Sequence, residues 1–159
     1  MFNRARLCRR TEIEVSSGSQ LLALEWLVLG RPAHGEKISG GSIKDSWRVK
    51  RRSARMGRNL PGHGRRPSPL SRKALLSDCA AIATLLYFGP EHEARLRCIR
   101  DHAASLECHC GATLVGKLVV ARFAAKDSCE LRAALRSLLE ELGKQRAPGP
   151  FRVPKMWSC

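Results

Sequence analysis

The chain has 159 residues at 17.6 kDa, is 43% apolar but only 5% aromatic, and sets 29 lysines and arginines against 14 acids for a formal charge of +15. That length suits one modest domain and argues against two, and the apolar share excludes a wholly disordered chain. The apolar runs at 21–29 and 80–88 fall short of the roughly 20 residues a membrane-crossing helix requires, and no clean apolar region of a signal peptide follows the basic first ten residues, which leaves a cytoplasmic protein as the expectation.

From the N-terminus, residues 12–15 (Glu-Ile-Glu-Val) alternate as a half-exposed strand should. Residues 21–29 form a longer apolar stretch stopped by Gly30 and Pro32, compatible with strand or helix. Ser17-Gly-Ser between the two has turn chemistry and favours a hairpin. Residues 43–49, after Gly40 and Gly41, add another strand, so the first third reads as antiparallel β. Residues 52–71 then hold three prolines, three glycines and five arginines with almost nothing to bury. Such a segment cannot offset its own ordering entropy and is expected to be disordered. Lys50, Arg51, Arg52, Arg55, Arg58, Arg65, Arg66, Arg72 and Lys73 follow one another without an intervening acid, so most of the charge imbalance is local.

Patterning resumes after the break. Residues 80–88 are a buried run ended by Gly89 and Pro90, and Pro90 is placed to open a helix over 91–103 with Leu96, Ile99 and Ala103 as its apolar stripe. Residues 113–115 and 118–123 read as strands around Gly116 and Lys117. Asp127 with Glu130 makes a capping-box-like start for a helix over 127–142, in which Leu131, Leu135, Leu138 and Leu142 recur at alternating four- and three-residue spacing and Gly143 marks the stop. The proline-rich tail from 148 is expected to run extended. The implied fold class is mainly β with two α-helices on the C-terminal side (α+β), divided as a β-rich 1–51, a basic 52–71 and a helix-bearing 72–159.

Three clusters carry candidate chemistry. Cys108, His109 and Cys110 offer thiolate and imidazole ligands suited to zinc, nickel or copper, but strand alternation puts the two cysteines on one face and the histidine on the other, so a complete metal site needs ligands from elsewhere. The seven cysteines, odd in number and irregularly spaced, read as free thiols rather than a disulfide framework. The loop Gly30-Arg-Pro-Ala-His-Gly-Glu36 could cradle an anion through its backbone and Arg31, yet it lacks the Gly-Lys-Ser/Thr ending of a phosphate loop and is more often a simple turn. The arginine tract could neutralise nucleic-acid phosphates, but no aromatic side chains interleave it and no binding module surrounds it, so nucleic acid is disfavoured as a partner. No Gly-x-Ser-x-Gly nucleophile motif is present, and hydrolase chemistry is disfavoured.

Read together, Phe2-Asn-Arg-Ala-Arg-Leu, the 21–31 stretch ending Leu-Gly-Arg, Gly35-Glu36, Trp47-Arg-Val, Ala83-Thr-Leu-Leu, Gly116-Lys-Leu-Val-Val-Ala-Arg-Phe, Leu131-Arg-Ala-Ala-Leu and the closing Pro154-Lys-Met-Trp-Ser-Cys resemble the later part of the urease accessory protein family UreD, also called UreH. Each piece is weak alone; their order and spacing are specific. The resemblance implies an incomplete UreD-like stack of strands and a cytoplasmic, non-catalytic protein. Its implied partners are UreF and the GTPase UreG on apo-urease, where it would help nickel reach the active site with no tightly bound cofactor of its own. It places the partner or nickel-passage residues at Gly30, Arg31, Gly35 and Glu36. It also implies a β-rich portion ahead of Phe2, with Met1 as an internal start.

The resemblance breaks after Arg51, where the family continues as something like Asp-Gly-Arg-Leu-Val-Trp-Ala and this chain has Arg-Ser-Ala-Arg-Met-Gly-Arg. Met56 and Gly57 must be encoded ATG-GGN, and reading one base later gives TGG, a tryptophan where the family has one. A frameshift opening near Arg52 and closing near Ser71 is therefore expected, and with it a product of poor solubility and weak or absent function.

Overall fold

The computed structural model describes residues 1–30, 35, 40–51, 58–59 and 79–144, which form seven strands and two helices. The mainly β, α+β class read from the sequence is the observed one. The chain divides into two compact units, Met1–Leu21 with Val28–Asp78, and Leu22–Leu27 with Cys79–Cys159.

In the first unit, β1 (Arg6–Val15) pairs in parallel with β3 (Ser42–Arg51), and the two-residue β4 (Arg58–Asn59) pairs antiparallel with β3 at Arg48 and Val49. This corrects two sequence expectations. The first third is not an antiparallel meander, and β1 forms no hairpin with β2 (Leu21–Val28), which joins a different sheet. The turn chemistry is nevertheless real: Gly18 adopts φ 81 and the Ser19 amide donates to the Ser16 carbonyl at 3.2 Å. A turn sets a reversal of direction; it does not set which strand is met afterwards. Parallel partners require a long crossover, and the run from Val15 to Ser42 supplies one. Register is pinned by Arg9, whose Nε and Nη2 donate to Asp45 Oδ1 at 3.3 Å and Oδ2 at 2.9 Å from the facing position. Within the segment expected to be disordered, Arg58–Asn59 is the strand β4; the rest of 52–71, and the extended tail from 148, lie outside the described residues.

In the second unit the sheet order is β2, β5 (Ala81–Phe88), β7 (Leu118–Ala125), β6 (His109–Val115). Helices α1 (His92–Ala103) and α2 (Ser128–Lys144) pack on one face of it. Alternation chooses the inner residues: Ala83, Phe123 and Cys110 form one row across three strands, and Leu85, Ala121 and Ala112 the next. Alanines on the strands leave room for Leu131, Leu135 and Leu138 of α2, all fully buried. Strand β5 also buries Leu86 on its other face, which explains its continuous apolar composition. The β6–β7 turn places Gly116 at φ 64, the first central position of a tight hairpin where glycine is needed.

Both helices occur where the periodicity places them, with differences at the start of α1 and at the end of α2, which runs through Gly143 to Lys144. Asp127 caps α2, its Oδ1 accepting from the Cys129 and Glu130 amides at 2.8 and 2.9 Å. Pro90 does not open α1: it stands in the preceding turn, its carbonyl taking the Tyr87 hydroxyl at 2.9 Å, and Glu91 is the N-cap in a left-handed conformation, φ 56. The buried side of α1 is Arg95, Cys98 and Ile99, while Leu96 and Ala103 are half-buried.

Candidate functional site

The loop singled out in the sequence is rooted at both ends on the chain's first five residues. Gly30, buried at φ 75, donates its amide to the Met1 carbonyl at 2.6 Å. At the far end the Arg4 amide donates to the Gly40 carbonyl at 2.8 Å, Asn3 Oδ1 accepts from the Gly40 amide at 3.2 Å, and the Ser42 amide donates to the Ala5 carbonyl at 3.0 Å. Gly41 has no room for a side chain, since a Cβ there would stand 2.8 Å from the Ala5 carbonyl oxygen, and its φ of 146 is open chiefly to glycine. Residues 1–5 thus close the neck of the loop, and Arg4 accepts a left-handed φ of 60 to do so.

Two of the four residues expected to form a partner contact or nickel passage are described. Gly30 lies in that neck, and Gly35 is exposed at φ 70 with open space around it. Arg31 and Glu36, like His34, lie outside the described residues. The Gly30 and Gly40 amides are both spent within the neck, so neither is offered to an anion. The sequence reading missed Asn3, Arg4 and Ala5 as the loop's anchors. The Gly40-Gly41 pair was the available signal, because adjacent glycines often mark a close approach of backbones.

The Cys108, His109, Cys110 cluster is arranged differently. Cys108 is buried and Cys110 half-buried against the core, whereas His109 is exposed. Burial raises the Cys108 thiol, and burial followed by the neighbouring Cys108 pushes Cys110 up to about 11. Both therefore stay protonated at neutral pH, and metal binding there would have to displace a proton from each. Among the described residues no three His, Cys, Asp or Glu side chains gather closely enough to hold a metal ion, and no helix is long and apolar enough to cross a membrane.

Known proteins match along the same span as these elements. The family described as "UreD urease accessory protein" matches residues 1–158. Proteins named "Urease accessory protein UreD" from Xanthobacter autotrophicus, Rhizobium leguminosarum bv. viciae and Agrobacterium fabrum are 36%, 37% and 37% identical to this chain over 99% of its length. The aligned region is 53%, 56% and 53% of those relatives, so the chain spans about half their length. A match that spans the β1–β3 ribbon, the necked loop and the helix-covered sheet leaves one assignment: this chain belongs to the UreD family of urease accessory proteins.

Proposed function

We propose that this chain serves urease maturation as a non-catalytic accessory protein of the cytoplasm, acting with UreF and UreG on apo-urease so that nickel reaches the buried active site. The observation that carries this reading is the family match over residues 1–158. Nickel is cargo in this scheme, held transiently and passed on. We place the partner or passage contact at the loop of Gly30, Arg31, Gly35 and Glu36, because its neck is fixed by residues 1–5 while Gly35 is open to the outside. Oxygen and imidazole donors exchange Ni2+ readily, so the Glu36 carboxylate suits relay better than storage.

The test is co-expression of the tagged chain with UreF, UreG and the urease subunits in a host lacking its own UreD. UreF and apo-urease are expected to co-purify with the chain, and Glu36→Ala to lower the nickel content of the recovered urease without releasing UreF. Failure of a soluble, folded chain to retain either partner would overturn the reading. The frameshift between Arg52 and Ser71 belongs to this proposal as well. It is checked in the gene, where an inserted or deleted base relative to intact relatives must flank those codons.

A further inference from the structure

Away from the loop, β1 and β3 present a broad charged face. Strand alternation sends Leu7, Arg9, Thr11, Ile13 and Val15 of β1 to one side and Arg6, Cys8, Arg10, Glu12 and Glu14 to the other, where all five are exposed. The parallel register sets Ser42, Lys44, Ser46, Arg48 and Lys50 of β3 beside that second set, row by row. Five cations, Arg6, Arg10, Lys44, Arg48 and Lys50, therefore stand on one flat surface against two acids.

The cations are not evenly deployed. Glu12 gathers three of them, through ion pairs with Arg10, with Arg48 at 3.4 Å and with Lys50 at 3.5 Å. One carboxylate against three cations leaves that group positive and limits the rotamers those side chains sample, which lowers the ordering cost of meeting a further anion. The Arg10 hydrogen bond and the surrounding positive charges hold the Glu12 carboxyl below its usual range, so it is ionised at neutral pH. At the other end of the ribbon Arg6 and Lys44 are exposed and form no ion pair among the described residues.

We infer that the outer face of the β1/β3 ribbon docks an extended acidic polypeptide segment of a partner protein. Same-face residues of a strand repeat about every 6.6 Å, which is also the spacing of alternate carboxylates on an extended peptide. A peptide lying along the ribbon can thus place successive acids between Arg6 and Lys44 at one end and over the Arg10, Arg48 and Lys50 group at the other. Single-stranded nucleic acid fits less well, because stacking supplies much of its affinity and this face carries no aromatic side chain. Glu12 and Glu14 would also oppose a continuous line of phosphates. The inference needs no urease component, so it stands or falls separately from the family reading.

The probe is a fluorescein-labelled ten-residue peptide with glutamate at every second position and threonine between, titrated with the full chain and read by anisotropy. Saturable binding that weakens with added salt is expected. The double substitution Arg6→Glu with Lys44→Glu leaves the Glu12 group intact and should weaken binding by about tenfold, since it reverses two of the five cations on the face. Arg6→Gln with Lys44→Gln, less disturbing to folding, should lose an intermediate amount. Replacing Arg55, Arg65 and Arg66 by alanine should change it less than twofold. No saturable binding, or equal binding by the charge-reversed chain, would overturn the proposal. So would tighter binding of a mixed-sequence single-stranded oligonucleotide that the same charge reversal abolishes, which would assign the face to nucleic acid.

Discussion

Cys110 is pressed onto the core from β6, opposite Phe123, and burial raises its thiol from an ordinary 9.0 to about 11. Cys108 moves in the same direction for the same reason. An unfolded chain loses these protons first, so above pH 9 the folded state binds more protons than the unfolded one. Stability contributed by the neutral thiols is then complete below about pH 9 and drains away as pH rises towards 11. We expect the urea midpoint of the native chain to fall across that window more steeply than that of Cys110→Ala. Subtracting the variant's curve from the native one removes the common titration of lysines and tyrosine. A difference that stays flat from pH 8 to pH 11 would mean that Cys110 is wetted in solution. Spacing made Cys108, His109 and Cys110 metal-ligand candidates, and burial adds that both thiols are neutral at pH 7. Spacing reports which residues are neighbours, but only burial reports whether they can ionise.

Among the elements, α1, α2 and β5 are joined by one side chain. Arg95 of α1 is 3% exposed, lies over the Tyr87 ring at 5.7 Å and donates through Nη1 to the Leu142 carbonyl at 2.6 Å. Leu142 is in the last turn of α2, where carbonyls lack helical donors and the helix dipole favours a cation. Arg95→Met keeps the aliphatic stem and removes the charge-assisted bond, leaving a buried carbonyl without its donor. A loss of about 2 kcal/mol in chemical unfolding is expected, with faster amide exchange in the last turn of α2. Undiminished stability would show that packing alone holds the helix pair. No sequence pattern announces this contact, because a lone arginine on an amphipathic helix reads as solvated surface. The surrounding helix was legible for the opposite reason: Leu131, Leu135, Leu138 and Leu142 repeat at the spacing of one face, and all are buried. Strands were legible as strands, and the face each buries could be read from alternation. Their partners could not. Alternation in β1 carries no information on whether β2 or β3 lies beside it, and a convincing turn at Gly18 argued for the wrong neighbour. The candidate loop was half legible, its glycines visible and its anchors at Asn3, Arg4 and Ala5 hidden by distance along the chain.

At the scale of the molecule, the question is what the basic tract does to the ribbon beside it. Strand β3 is ten residues long and is paired along its whole length by β1, yet on its other edge β4 meets only Arg48 and Val49 among the described residues. A long strand edge invites association unless it is paired or covered. In the reading-frame proposal, codons permitted for residues 52–63 can spell Gly-Arg-Leu-Val-Trp-Ala-Glu-Thr-Phe-Arg-Val-Thr when read one base later, with only the tryptophan forced, and the alternation of Phe and Val in its later part suits a strand that extends β4 along β3. Replacing residues 52–71 by the shifted-frame sequence should therefore lengthen β4. It should slow amide exchange through residues 44–50 and raise the soluble yield, while leaving exchange in α2 unchanged. The contrast between β3 and α2 separates a local repair from a general gain in stability. Equal exchange in β3 before and after the replacement would mean that the arginine tract already makes the contacts of the family's strand, and the reading-frame proposal would lose its structural motive.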